Sequence, residues 1–512
     1  MMADGVFKAN ADSYLANGRR SWILWGTTVL IILFGLCIRL YLLTERGLWL
    51  DEALCVKIAA IEGFVNMLRR VTHDIHPPLF YILLHSWIVQ FGNTDYSVRL
   101  FSVIWGTMGL AGVFFLCRYG LNWSMKYSNL AVLLTAVLPL HVYYSQEVRP
   151  YGMWFALASF ALGFLLRAHS QMGMRLYLTF GMIQALVLYV HHVAFVYCAL
   201  LNVAYLAISL VYKQLNKRRL WGWIASGMVT FLVYSPWLPF FWKQLNNPTV
   251  FPGFPYWVGK PSLWSVGLIF VQVTGVWKLD LPFQLPRLLY VLAVLPIWLL
   301  LTFGTFYIFK QQLIKGTILA ASLFAYPIGI FVLSQVVLPI WLLRIFLPAA
   351  LGVPIIAVFG LKYAHTFASL KLISNVILIL AVLLGSFSSL LWVHTYKKDD
   401  WKGAGEYLSS YVQEGDAVFV CRAANRVALE RYVRPGTNIR GVGINWISRE
   451  DFSDKLSKEV QRLGGQSKRI IIATFNSDIM PEKLIAGMQG TARLAERKTF
   501  YHVLILVFSM KN

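Results

Sequence analysis

The chain has 512 residues, of which 58% are hydrophobic and 13% are charged, and its mean hydropathy is +0.61. Soluble domains carry about 25% charged residues, so this composition excludes a soluble globular protein and indicates a lipid bilayer as a partner. The net charge of +23 does not indicate a nucleic-acid partner, because the lysines and arginines lie in short loops between apolar runs, as in cytoplasmic loops of membrane proteins.

Apolar runs as long as a membrane span recur from Trp22 to Trp392, separated by short polar segments. A spanning helix needs roughly 20 mostly apolar residues. The first run, residues 22–43, is longer than the core of a signal peptide, and no small-residue cleavage site follows it. We therefore expect it to be a retained span, followed by further spans up to residue 396.

Charge predicts the topology of these runs. Two of them, residues 76–91 and 262–277, are too short for an untilted span, so we expect both to lie at the membrane interface. The basic loops then share the cytoplasmic side, as the positive-inside rule requires. The acids between residues 13 and 396 share the outer side: Glu45, Asp51, Glu52, Glu62, Asp74, Asp95, Glu147 and Asp280. This predicts about eleven spans with the N-terminus inside, or thirteen if both short helices cross.

The composition changes to mixed polar sequence after the last apolar run. Alternating patterns predict strands at residues 416–422, 468–475 and 501–508, and helices at residues 403–412 and 454–463. The chain is thus expected to be an all-α polytopic membrane domain (residues 1–396) with a small outward-facing soluble α/β domain (residues 397–512). No nucleotide-binding loop or metal-ligand cluster is recognisable in residues 397–512, which we call the tail. This suggests a docking or shielding role for the tail.

The first outer loop, residues 44–97, carries the adjacent carboxylates Asp51 and Glu52. Such a pair beside the bilayer can act as a general base with a supporting acid or metal partner. The pair can equally be two solvated acids, which are ordinary outside a membrane. Spacing alone does not decide between these interpretations.

The same loop continues with the run His73-Asp74-Ile75-His76-Pro77-Pro78. Proline is favoured in the first turn of a helix, so the double proline predicts a short helix with His76 at its start. A helix N-terminus with a histidine can hold a phosphate. Asp74 can instead cap the helix. A divalent metal bound by His73 and Asp74 with His76 is a third option, although the ligand set is incomplete.

Further candidates lie at the predicted outer edge of later spans. Glu147 and Arg149 either pair with each other, which would stabilise the protein little, or belong to a site. The pair His191-His192 is more typical of an interface feature than of a ligand set. Arg344 suits a phosphate, because a guanidinium can bind two oxygens.

Four runs follow one another in the chain: WLDEA from Trp49, HPPLFYILLHSW from His76, YSQEVRPYG from Tyr144, and the segment at His191. In this order they resemble the bacterial glycosyltransferase family 39, which is similar to protein O-mannosyltransferases and lipid A aminoarabinose transferases in the GT-C superfamily. The resemblance covers about residues 39–200, and continues more loosely at residues 344–348 and 400–403. It implies a GT-C-type membrane fold.

The resemblance also implies inverting transfer of a sugar from a polyprenyl-phosphate donor to a hydroxyl acceptor. In that family's pattern Asp51 would be the base, Glu52 stands beside it, Glu147 matches a second acidic position, and His76 lies near the lipid phosphate. Arg149 and Arg344 are further candidates for stabilising the charge of the leaving phosphate. No cofactor is required by this chemistry, and a divalent metal stays an option. The implied location is the inner membrane, with the site on its outer side.

Two other classes of protein fit part of the sequence. A multi-span transporter or flippase of lipid-linked sugars would also show about eleven spans, but carriers place their ionisable residues near the midplane, whereas the acids here gather at one face. An inactive assembly subunit is disfavoured because the site acids are all present. The sequence leaves open the sugar, the acceptor, the metal dependence and the oligomeric state.

Overall fold

A computed structural model describes residues 22–246, 258–274, 287–311, 313–337, 339–395, 398–442, 449–464, 467–475 and 479–511. The chain divides into two compact units. The first comprises Met1–Tyr41, Glu62–Gln90 and Arg99–Thr395, and the second comprises Leu42–Ile61, Phe91–Val98 and Tyr396–Asn512. Part of the first outer loop thus clusters with the tail. The sequence-based division at residue 396 stays a prediction.

The first unit is helical. Up to the tail the helices are, in chain order, α1 (Trp22–Leu40), α2 (Leu50–Ala59, in the second unit), α3 (Phe64–Val71), α4 (Leu79–Phe91), α5 (Asp95–Phe115), α6 (Met125–Ala136), α7 (Pro139–Ser145), α8 (Tyr151–Gln171), α9 (Met174–Leu188), α10 (Ala194–Val211), α11 (Lys217–Tyr234), α12 (Leu238–Leu245), α13 (Leu263–Val273), α14 (Arg287–Lys310), α15 (Ile314–Val336), α16 (Gly352–Ala364) and α17 (Ala368–Thr395).

Seven helices in the described residues are long and apolar enough to cross a membrane, and an eighth span arises if α6 and α7 are counted together. Five further apolar helices have 10–17 residues, among them α4 and α13, which the sequence places at the interface. At 1.5 Å per residue, a helix of 13 residues spans only about 20 Å of a hydrocarbon core of about 30 Å. The polytopic α-helical fold is confirmed, whereas the count of eleven to thirteen spans stays a prediction.

Proline explains the break between α6 and α7, which are bent by 65°. Pro139 opens α7 and has no N–H to continue the helix before it. The buried Arg39 of α1 lies at this break, where its guanidinium donates to the carbonyl of Ala136 (3.1 Å) and to the hydroxyl of Ser145 (3.2 Å). A cation from one helix thereby satisfies a carbonyl at the broken turn and fixes the segment that leads to Glu147.

The tail contains both helices and strands. In chain order they are α18 (Trp401–Tyr411), β1 (Asp416–Cys421), α19 (Arg426–Glu430), β2 (Ile439–Val442), α20 (Arg449–Gly464), β3 (Arg469–Phe475), α21 (Pro481–Met488), β4 (Ala492–Thr499) and β5 (Val503–Met510). The strands form a five-stranded sheet in the order β2-β1-β3-β5-β4. Strands β1, β2 and β3 are parallel, while β5 is antiparallel to both β3 and β4. Their apolar side chains pack with those of α20 and α21 in one core.

The predicted small α/β domain is therefore confirmed. The three predicted strands correspond to β1, β3 and β5, and the two predicted helices correspond to α18 and α20. The sequence analysis missed β2 and β4. Strand β4 alternates in burial but is rich in charged residues, as edge strands are, so its apolar signal is weak.

Candidate functional site

The acid pair lies in the first turn of α2 and not on an open loop. Carboxylates in this position are favoured by the helix dipole. Glu52 is fully buried, and its Oε2 accepts a hydrogen bond from the N–H of Trp49 (3.4 Å), the residue that caps the helix. Glu52 also accepts from Lys398 Nζ at 3.1 Å, within the second unit. The two carboxylates therefore differ: Glu52 is enclosed by fixed donors, whereas Asp51 is only partly buried.

A cluster of cationic and imidazole side chains lies in the first unit. Arg149 Nη2 is 2.7 Å from His76 Nε2, and both side chains are buried. The ring of His191 lies 5.0 Å from that of His76 and stacks on Trp154 at 4.8 Å. We call His76, Arg149, His191 and Arg344 the cationic cluster.

His76 lies in the loop before α4, where burial and the positive charge of Arg149 hold the pKa of its imidazole well below the usual value. The pKa of His191, in the loop before α10, is lowered mainly by burial and secondly by His192. The charge of Arg344 contributes to both pKa shifts, which places it in the same electrostatic neighbourhood. The two histidines are therefore neutral at pH 7, and the arginines supply the positive charge.

The contact with Arg149 fixes the tautomer of His76. A guanidinium only donates, so His76 Nε2 must accept, and the ring proton lies on Nδ1. His76 Nδ1 is buried and has no hydrogen-bond partner among the described residues. A buried donor without an acceptor is unfavourable by about 1–3 kcal/mol, which makes Nδ1 a candidate donor to a bound ligand.

Gln244, at the end of α12, holds the loop that carries His76. Its amide Nε2 donates to the carbonyls of Val71 (3.1 Å), Asp74 (2.8 Å) and His76 (3.3 Å), while its Oε1 accepts from His192 Nε2 (3.0 Å). Gln244 is itself fully buried. Sequence reasoning missed it, because a single glutamine near the end of an apolar run carries no motif.

The remaining candidates take the following places. Glu147 is buried in the turn between α7 and α8, two residues before Arg149. The Asp74 carboxylate accepts from the hydroxyl of Tyr81 (2.6 Å) and from the N–H of His76 (3.3 Å). The bond to His76 closes a turn before α4 and is not a helix cap, because α4 begins at Leu79, after both prolines. His73 Nδ1 lies against the carbonyl of Arg69 (3.1 Å).

The part of the chain that the structure describes contains no group of three His, Cys, Asp or Glu side chains arranged to hold a metal ion. His73 and Asp74 instead contact protein groups: His73 lies near the carbonyl of Arg69 and near Lys243, and Asp74 accepts from Tyr81. Dependence on a divalent metal stays an untested prediction.

Comparisons with known proteins support the resemblance seen in the sequence. Residues 75–240, less than half of the chain, match the family described as dolichyl-phosphate-mannose-protein mannosyltransferase. No curated protein matches the sequence. The fold is similar to that of ArnT from Cupriavidus metallidurans, in the apo state (TM-score 0.60, 12% identity, 96% of this chain and 98% of that chain) and bound to undecaprenyl phosphate (TM-score 0.58, 12% identity, 94% and 98%).

A second solved structure is also similar, that of the arabinofuranosyltransferase AftD from Mycobacteria. Its TM-score is 0.53 at 13% identity, and the match covers 96% of this chain but 40% of that chain. At these identities the solved structures show the fold alone. The chain is thus a multi-pass membrane protein whose fold is similar to that of ArnT and AftD, in agreement with the resemblance predicted from its motifs.

Proposed function

We propose that this protein transfers a sugar from a polyprenyl-phosphate donor to a hydroxyl acceptor on the outer face of the inner membrane. One observation carries the proposal: the buried cationic cluster presents the unsatisfied donor His76 Nδ1 together with two arginines. A phosphate supplies acceptor oxygens and negative charge in one group. The similar ArnT structure was obtained with undecaprenyl phosphate bound, which is consistent with a ligand of this class.

In the proposed reaction, the acceptor, Asp51 and the cationic cluster each act at a defined step. The acceptor oxygen attacks the anomeric carbon and forms the new C–O bond, while the bond from that carbon to the phosphate oxygen breaks and its electron pair leaves with the polyprenyl phosphate. Asp51 takes the proton of the acceptor hydroxyl. The cationic cluster stabilises the charge that develops on the leaving phosphate. Attack opposite to the leaving group inverts the anomeric configuration.

The test of the donor class is transfer of radiolabel from a panel of polyprenyl-phosphate sugars in membranes that contain the protein. We expect one donor to label an acceptor fraction, with release of polyprenyl phosphate. Movement of labelled donor across the membrane without transfer would support the transporter or flippase alternative instead. Nucleotide-sugar donors serve as the control and should give no transfer.

The test of the base is Asp51→Asn, which keeps the shape of the side chain but removes its proton-accepting charge. We expect turnover to fall by about 10² or more, the scale of acid–base assistance, while expression and thermal unfolding stay unchanged. A folded Asp51→Asn protein with normal transfer would exclude Asp51 as the base.

A further inference from the structure

We infer that the tail completes the acidic site, with Lys398 as a positioning residue for Glu52. This inference rests on the proposed function and deepens it, because it replaces a docking or shielding role of the tail with a part in the transfer step. Both residues belong to the second unit.

Lys398 acts on Glu52. The side chains of this ion pair are 9% and 0% exposed, so both charges are withdrawn from water. A buried carboxylate is strongly disfavoured unless it is paired, and Lys398 supplies the pairing charge. Lys398 Nζ also lies 5.9 Å from the ring centroid of Trp49, the residue that caps α2. One lysine of the tail thus contacts both the cap and the first turn of the helix that carries Asp51.

The tail's own fold holds Lys398 and Asp399 in place. The next residue, Asp400, caps α18: its side chain accepts from the N–H of Gly403 (2.8 Å), and its own N–H donates to the carbonyl of Tyr501 (3.1 Å). Trp401 is fully buried against Phe475 of β3. The segment that presents Lys398 is therefore anchored to both a helix and the sheet.

Asp399 anchors the same segment. Its Oδ1 lies 3.1 Å from Nδ1 of His502, a residue of the β4–β5 turn with a φ of +59°. The residue that follows Lys398 is therefore also held by the sheet.

A second set of hydrogen bonds joins the tail to the residues before α2. The hydroxyl of Tyr432 accepts from the N–H of Leu48 (2.6 Å) and donates to Asp95 Oδ2 (2.6 Å), and Arg431 Nε pairs with Asp95 Oδ1 (2.7 Å). The lead-in to α2 is therefore fixed from the tail independently of Lys398. This contact allows Lys398 to be changed without releasing the loop.

The first experiment compares Lys398→Met with Lys483→Met in the full chain. Lys483 pairs with Asp454 in an ion pair of the tail that is partly exposed at both ends, so it is a matched control. We expect Lys398→Met to lower turnover between about 10-fold and 10²-fold, the scale of a displacement of about 1 Å at a reacting group, with Lys483→Met unchanged. Lys398→Arg should restore part of the rate, because it restores the charge. Glu52→Gln combined with Lys398→Met should be no slower than Lys398→Met alone.

The second experiment compares Lys398→Arg with Lys398→Gln, which stays informative if Lys398→Met fails to fold. Lys398→Arg keeps the charge that pairs with Glu52, so it should keep more turnover than Lys398→Gln, while the KM for the donor stays unchanged in both variants. Equal turnover in the two folded variants would show that the charge of Lys398 has no part in positioning Glu52.

The outcomes separate this inference from the proposed function. Normal turnover of folded Lys398→Met, or equal turnover of folded Lys398→Arg and Lys398→Gln, would overturn the inference, even if Asp51→Asn is inactive. Full activity of Asp51→Asn would overturn the assignment of the base itself.

Discussion

The two ring nitrogens of His76 differ in their hydrogen bonding, so substitutions that keep one of them predict different donor affinities. Nε2 accepts from Arg149, and Nδ1 is a buried donor without an acceptor among the described residues. His76→Asn places an amide donor near the position of Nδ1, whereas His76→Gln reaches toward the position of Nε2. We therefore expect His76→Asn to keep more donor affinity than His76→Gln or His76→Ala in equilibrium titrations of the purified protein. Equal affinity in all three variants would remove His76 from the phosphate site.

Arg344 and Arg149 supply the charge that a neutral histidine does not, so Arg344→Ala should also weaken donor binding. Arg344→Lys should recover only part of the affinity, because an ammonium cannot reproduce the bidentate geometry of a guanidinium. The same titration measures both variants. Unchanged donor affinity in Arg344→Ala would show that this side chain only reaches toward the lipid headgroups.

The lowered pKa of His76 predicts how donor binding depends on pH. If a protonated His76 bound the phosphate, affinity would fall as pH rises through about 6.5, the ordinary pKa of histidine. Burial and Arg149 keep the ring neutral over this range, so donor affinity should be flat between about pH 6 and pH 8. The sugar donor is a phosphodiester and has no titration of its own there. A tenfold loss of affinity across this interval would contradict the neutral tautomer.

The sequence predicted the candidate residues but not how the role of each differs from that of its neighbours. His76, Arg149 and Arg344 were predicted as phosphate ligands from residue type and position, and the structure brings them into one electrostatic neighbourhood. Their roles stay predictions. The difference between the neighbours Asp51 and Glu52 could not be predicted, because it depends on Lys398, which is 346 positions from Glu52 in the chain.

At the scale of elements, Gln244 links the end of α12 to the loop before α4. Gln244→Met keeps the volume of the side chain but leaves three carbonyls without their common donor. We expect the free energy of unfolding to fall by about 1–3 kcal/mol and donor affinity to fall with it. Thermal unfolding and donor titration measure the two effects.

Gln90→Met is the matched control for this change. Gln90 is an exposed residue of α4 whose amide donates to the carbonyl of Ser86 in its own helix (3.1 Å). It should leave both quantities unchanged. Loss of stability in Gln244→Met with unaltered donor affinity would limit Gln244 to a structural role.

Elements with a strong apolar pattern were predictable, and those built by tertiary contacts were not. Strand β3 reads as a continuous apolar run and was predicted within one residue at its start. Strand β2 has four residues, too few for a pattern, and it is defined by pairing with β1. The helix α2 was predicted as part of the first outer loop, although the acids in its first turn are typical of a helix start.

At the scale of the whole molecule, composition and charge predict the class of protein and the side of the membrane. The fold confirms a multi-pass membrane protein. Its predicted orientation rests on the distribution of lysine and arginine between loops. Each of the short helices α4 and α13 would reverse the side of all later segments if it crossed the membrane, so a reporter fusion tests the predicted side of the tail.

An alkaline phosphatase fusion after Trp392 tests that side. Counting Lys362 and Lys371 as cytoplasmic leaves α17 as one span before the tail, which puts the tail outside. We expect this fusion to be active and a reporter that works only in the cytoplasm to be silent. A fusion after Lys213, in the basic loop between α10 and α11, is the control and should show the opposite pattern. An active cytoplasmic reporter after Trp392 would overturn the predicted topology. It would also move Asp51 away from the outer side, because the tail and α2 belong to one compact unit and must lie on the same side of the membrane.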